Sequence, residues 1–280
     1  MCNAKLLWLV VVVVVAGLIL EHGCTKSSES LVIDRFPAKV GNAWEYSRSF
    51  SIVVYDTVNN DTTAYLVVDS LHEEFEGIDT LAGWECYRLD HTLYEQGDTI
   101  DQYYWYAHPD SALLWVAYTP DDTSPILTRS MVKGNIRFRF GEMMFNSPQA
   151  LAYFLHSIRH KSFQNLGTDT SYWSTPRKLF IYPLKLGKSW TAMTDPWIEE
   201  REAVDEDSIS VPAGTFFTLR IEINSDMMDA NVWWSNWVSE EGVVKDSFYC
   251  RDDATDFEGQ VIGYYDLYDT YELIYFNIEE

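Results

Sequence analysis

His156 and His160 stand four residues apart in a stretch with helical patterning, a spacing that sets two imidazoles on one helix face where they could share a metal ion. Ser157 follows His156 where a zinc-protease motif requires Glu, and both histidines lie away from the apolar stripe, beside Tyr153. A solvated helix face is the better reading, and no metal is expected. Acidic runs occur at Asp121-Asp122, at Asp205-Glu206-Asp207 and at Asp252-Asp253 with Asp256 and Glu258. None has the alternating oxygen ligands followed by Gly of a calcium loop, so these runs read as solvated loops. No Gly-x-Ser-x-Gly elbow, phosphate-binding loop or dinucleotide fingerprint is present, and nothing singles out two of the 43 acidic residues as a glycosidase pair. The chain carries no enzyme signature, and neither a catalytic residue nor a cofactor is assigned.

What remains is aromatic. Tyr103, Tyr104, Trp105 and Tyr106, and likewise Trp233, Trp234 and Trp237, occupy both faces of two strands. One face of each strand must be core. The other is either covered as well or exposed as a platform for a sugar or lipid, so Tyr104, Trp105, Trp233, Trp234 and Trp237 are the candidate ligand-contacting residues.

The elements that position these aromatics are organised around a repeated nonapeptide. Phe36-Pro37-Ala38-Lys39-Val40-Gly41-Asn42-Ala43-Trp44 returns as Tyr182-Pro183-Leu184-Lys185-Leu186-Gly187-Lys188-Ser189-Trp190, with Pro, Lys, Gly and Trp in the same places. Physically it reads as a strand entry, in which Pro forbids helix at the residue before it, Gly turns the chain and Trp opens the strand. Trp44, Tyr46, Phe50, Ile52 and Val54 then share one face, with Arg48 the single intruder. In both halves the nonapeptide is followed by a turn and strand, at Leu81-Ala82-Gly83-Trp84 and at Val211-Pro212-Ala213-Gly214, and then by an aromatic hairpin. After the second turn Phe217, Leu219, Ile221 and Ile223 form the expected buried face. The register expected between halves aligns Gly41 with Gly187, Gly83 with Gly214 and Trp105 with Trp234. Between the halves Ser147 can cap a helix entered through Pro148, whose stripe is Leu151, Phe154, Leu155 and Ile158.

Composition bounds the function. The 47% hydrophobic and 15% aromatic content excludes a disordered chain, and 280 residues can bury a full core. A net charge of −23 argues against nucleic acid and anionic membrane surfaces as partners, because phosphate contacts need clustered Lys and Arg. The start is basic through Lys5, and Leu6 to Leu20 is an apolar run that suits the core of an export signal and is short for a spanning helix. Gly23-Cys24 and a polar stretch follow, resembling a bacterial lipoprotein signal in which Cys24 becomes the lipidated first residue, although Glu21 and His22 depart from its usual box. Cys2 then leaves with the signal. Cys86 and Cys250 remain, an even pair that permits a disulfide in an oxidising compartment, with two separate buried thiols as the alternative.

The resemblance extends further. Phe-Pro-x-x-x-Gly-Asn-x-Trp-x-Tyr at 36–46, Tyr182-Pro183-Leu184, Val-Pro-Ala-Gly-Thr-Phe at 211–216 and the hairpin ending Gly242-Val243-Val244-Lys245 resemble uncharacterised bacterial secreted or lipoprotein β-rich domains. Some members of that group look like the half-barrels of lipoprotein-carrier proteins. The resemblance implies a fold and supplies no catalytic residues. The expected fold is mainly β, antiparallel sheets or open half-barrels in two related halves with one inserted amphipathic helix. The expected layout is a signal peptide at 1–23, a polar tether at 24–35, a first β half at 36–118, a connector at 119–181 with its helix near 147–161, and a second β half at 182–280. The expected role is a non-catalytic binding or scaffolding module of the cell envelope, held to the membrane through Cys24 or released to the periplasm or beyond. The alternatives are a carrier of a hydrophobic ligand in a groove between sheet and helix, and an enzyme acting on carbohydrate or peptide.

Overall fold

The computed structural model describes residues 30–279 apart from 96–97, 120–135, 149, 153, 156–169 and 229–230. Cys24, Asp121, Asp122, Tyr153, His156, Ile158 and His160 lie outside the described residues. The strands run β1 (Ala43–Asp56), β2 (Asp61–Leu81), β3 (Trp84–Glu95), β4 (Asp98–Ala107), β5 (Ala112–Tyr118), β6 (Arg137–Phe140), β7 (Met143–Phe145) and β8 (Ser171–Ile181). They continue as β9 (Ser189–Met193), β10 (Glu199–Val211), β11 (Gly214–Ser225), β12 (Val232–Ser239), β13 (Gly242–Thr255) and β14 (Val261–Asn277).

All the pairings are antiparallel, in the order β8-β5-β4-β3-β2-β1-β14-β13-β12-β11-β10-β9, with the β6–β7 hairpin attached to β13. The sheet curls until its end strands β8 and β9 come alongside each other, giving a nearly closed barrel. Along β1 the inner face is Trp44, Tyr46, Arg48, Phe50, Ile52 and Val54, all buried, while Glu45 and Ser49 are exposed. The intruder Arg48 is accommodated by Asp269 of β14, which accepts from Nε at 3.0 Å and Nη2 at 3.3 Å, and by the Phe50 and Tyr271 rings. Closure of β1 against β14 also needs Gly263, where a Cβ would stand 1.8 Å from the Tyr55 carbonyl oxygen, so no larger residue fits.

The two nonapeptides are held by the same three backbone hydrogen bonds. Gly41 N donates to Phe75 O, Phe75 N to Asn42 O and Asn42 N to Lys39 O; in the second copy Gly187 N donates to Ala203 O, Ala203 N to Lys188 O and Lys188 N to Lys185 O. Both glycines have positive φ, which a side chain would oppose. The copies differ in that the Tyr182-Pro183 bond is cis. Bulges follow at corresponding points, after Phe75 in β2 and after Ala203 in β10, then after Trp105 in β4 and after Trp237 in β12. Arg88, opposite Trp105, pairs with Glu76 and Asp79; Arg220, opposite Trp237, pairs with Asp205 and Asp207. The residue that matches Trp105 by register is therefore Trp237, not the expected Trp234.

Other expectations are corrected by the sheet. The stretch set aside as a connector contributes β6, β7 and the whole of β8, which pairs with β5. Ile33, at the end of the supposed tether, is buried and bridges Leu184. Phe217 is exposed and Phe216 takes the core position, because the alternation of β11 breaks at Thr218-Leu219, which are both buried. Asp205-Glu206-Asp207 and Asp252-Asp253 are strand residues, not loops, and Arg220 and Arg139 pair with them. The helix begins as read: Ser147 Oγ accepts from Ala150 N at 3.1 Å, and Leu151 and Leu155 are buried. Phe154 packs on Phe140 and Phe145, which seats this helix on the β6–β7 hairpin.

Candidate functional site

The barrel interior is not completely filled. A cavity of about 150 Å³ remains, walled by aromatic rings that include Trp44, Tyr46, Phe75, Trp115 and Trp234. Its polar groups are Glu73, Tyr106, Arg201, Asn236 and Asp246. Register explains why a carboxylate is inside: Glu73 lies opposite Trp44 and Leu71 opposite Tyr46, so the inward face of β2 reads Leu71, Glu73, Phe75. In the same way Asp246 of β13 lies opposite Asn236 of β12 and Tyr271 of β14.

Each polar group is held differently. Glu73 Oε1 meets His91 Nδ1 at 2.8 Å, and the Glu73 side chain is 22% exposed. Asp246 Oδ2 accepts from Asn236 Nδ2 at 2.8 Å and Trp234 Nε1 at 3.2 Å. Arg201 donates through Nε to Glu199 and through Nη1 to the Leu179 carbonyl. Behind it Arg177 donates to both oxygens of Glu199, through Nε and Nη2, and Arg177, Glu199 and Arg201 are all buried. Burial alone would raise the Glu199 carboxyl, but the charges and hydrogen bonds of the two arginines outweigh it and hold it below the usual range. Burial pushes the Tyr46 and Tyr106 phenols well above their ordinary value, and the nearby charge of Glu73 adds to both, while the charges of Arg177 and Arg201 act against it at Tyr106.

The same residues close the barrel. Among the described residues no backbone ladder joins β8 to β9. The gap is spanned by side chains: Trp190 Nε1 donates to the Lys178 carbonyl at 3.0 Å, Arg201 reaches the Leu179 carbonyl, and Arg177 of β8 pairs with Glu199 of β10.

Of the five aromatics proposed from sequence, Tyr104 and Trp234 line the cavity. Trp105 belongs to a separate apolar cluster with Cys86 and donates to Asp79 Oδ2 at 2.8 Å. Trp233 and Trp237 contact each other at 5.7 Å on the outer side of β12, beside Lys245. Cys86 and Cys250 stand as separate buried thiols on β3 and β13, in different core clusters, and no disulfide joins them. Burial pushes the Cys86 thiol up to about 11, which makes it unreactive. The cavity's charged residues were not among the sequence candidates. Their signal was a charge in the apolar phase of a strand, as in Leu71-x-Glu73-x-Phe75 and Glu199-x-Arg201-x-Ala203. Among the described residues, no group of three or more His, Cys, Asp or Glu is placed to hold a metal ion.

A partly buried polar pair predicts a pH response. Arg35 Nε donates to His108 Nδ1 at 3.1 Å, and burial together with the Arg35 charge lowers His108 from its ordinary 6.5 to about 4. The folded state therefore favours neutral His108. Stability is full above about pH 6.5 and falls as pH drops toward 4, by on the order of 2 kcal/mol after allowing for solvent screening. Thermal melts between pH 7 and 4 should show this slope, and His108→Gln should flatten it. An unchanged slope in the variant would assign the acid sensitivity elsewhere.

The fold is a nearly closed antiparallel β-barrel whose interior keeps an aromatic-walled cavity. No family model matches the chain, and no curated protein matches it. Two solved structures are similar to it. One is a protein described as exported, with a YmcC-like fold, from Bacteroides fragilis, at 13% identity over 88% of this chain and 99% of that one, with a TM-score of 0.33. The other is a protein described as a lipoprotein, from Parabacteroides distasonis, at 13% identity over 86% and 97% of the two chains, with a TM-score of 0.32. Likeness at this level assigns no activity.

Proposed function

We propose that the chain is an exported, lipid-anchored envelope protein that binds a small, largely apolar molecule inside its barrel. The observation that carries the binding role is the aromatic-walled cavity of about 150 Å³, the size of a void that accepts a benzene-sized ligand. It takes the place of the expected groove between sheet and helix, since the helix packs on the β6–β7 hairpin instead. The barrel is built, in this reading, from two copies of a six-stranded unit, β1–β5 with β8 and β9–β14. The matched nonapeptide bonds and bulges support the duplication.

Benzyl alcohol titrated into the protein should change the fluorescence of the cavity tryptophans and raise the melting temperature. Leu113→Phe, which adds volume to the cavity wall, should abolish both responses. Responses that survive the filling would place the ligand elsewhere, and no response at millimolar probe would remove the binding role. The anchor rests on the apolar leader and Cys24. Metabolic labelling with a fatty acid should mark the wild type and lose the mark in Cys24→Ala; labelling that persists would exclude Cys24 as the lipid site.

A further inference from the structure

We propose that the cavity's ligand is an organic cation, a small apolar molecule ending in a protonated amine that seats against Glu73 and Tyr106. The inference rests on the cavity reading above and adds the chemistry of the ligand's head. Glu73 uses Oε1 for His91, and its Oε2 has no hydrogen-bond partner among the described residues. The Tyr106 hydroxyl likewise has none. Both oxygens can accept a hydrogen bond on a wall that is mainly apolar and aromatic, and an ammonium group supplies donors to both. The rings around them favour the same charge. Trp44 is the direct cross-strand neighbour of Glu73, and Phe75 lies edge-on to both Trp44 and Tyr106 at 5.8 and 6.2 Å. Aromatic faces attract a cation most strongly where water is excluded.

An anionic ligand fits the same wall poorly. Among the described residues Arg201 is the one cation lining the cavity, and Glu199 and the Leu179 carbonyl occupy its Nε and Nη1, which leaves only Nη2 to meet an anion. An anion would also face both Glu73 and Asp246, and the charges of these two carboxylates both act on Tyr46. The net charge of −23 draws cations toward the protein and repels anions.

The test is titration calorimetry of the intact chain at neutral pH and low salt with three probes of one size: benzylamine, benzyl alcohol and benzoate. Benzylamine should bind about tenfold tighter than the alcohol, and benzoate weakest. In Glu73→Gln the amine's advantage should fall to within about threefold, and Tyr106→Phe should reduce it by a smaller factor. Tyr106→Phe also serves if Glu73→Gln does not fold. Equal binding of amine and alcohol by the wild type, tighter binding of benzoate, or an amine preference that survives both substitutions would overturn the proposal while leaving the cavity as a binding site. Failure of all three probes would remove the cavity reading itself.

Discussion

Glu199→Gln is expected to cost about 3–5 kcal/mol of stability, because it leaves two buried guanidinium groups without their counter-charge. Arg177 and Arg201 both point their donors at this one carboxylate, and the three residues are no more than 4% exposed. The rings of Trp115, Trp173 and Trp234 surround Arg177, so water cannot replace the lost partner cheaply. The position makes the effect more than local, since this network spans the seam where β8 and β9 lack a ladder. Denaturant melts should show a lower midpoint with little change in slope. Amide exchange should rise first in β8 and the start of β10, which the network ties together, and in β9 between them. Replacing Arg177, Glu199 and Arg201 together with Met, Leu and Met should recover much of the loss, because the charges and their desolvation are then removed as a set. A triple variant as unstable as Glu199→Gln would mean that the seam depends on these contacts themselves and not on charge balance.

Trp44→Ala should cost a comparable amount, about 3–5 kcal/mol, as for other fully buried aromatics. The indole is 1% exposed, packs on Phe36 and Phe75, and donates through Nε1 to the Glu241 carbonyl at 2.7 Å. That bond ties the start of β1 to the β12–β13 turn, nearly two hundred residues away. Gly242 in that turn has positive φ, and a Cβ there would stand 3.0 Å from the Trp44 nitrogen, so turn and indole are fitted to each other. Trp190→Ala should cost less, since that ring is 8% exposed at the short strand β9. If the two indoles were solvent-exposed platforms outside the core, substitution would leave the melts unmoved and affect only binding.

These two sites also show what the sequence made legible. The period-two face of β1 was readable from Trp44 to Val54, including the foreign Arg48, because one face of that strand is solvated and the other is core. The Ala82-Gly83 turn and the Ser147 cap were readable because their chemistry is local. Strand β8 was not, since Pro176 argues against a strand; it is tolerated here at an irregular step in the β5 pairing, on a strand whose other side faces the seam. The Glu-rich opening of β10 carried no site signal in the sequence, because the burial of its inward Glu199 depends on Arg177 from a distant strand. The cavity was legible only as charges in an apolar phase, because a void depends on how rings from several strands meet and not on any one of them.

The central claim is that a ligand enters the barrel. It is tested most directly by a crystal structure of the chain grown with benzylamine. Density for the probe is expected inside the barrel, with its nitrogen beside Glu73 and Tyr106 and its ring against Trp44. A probe bound on the outer Trp233–Trp237 surface, with the interior unchanged, would contradict it.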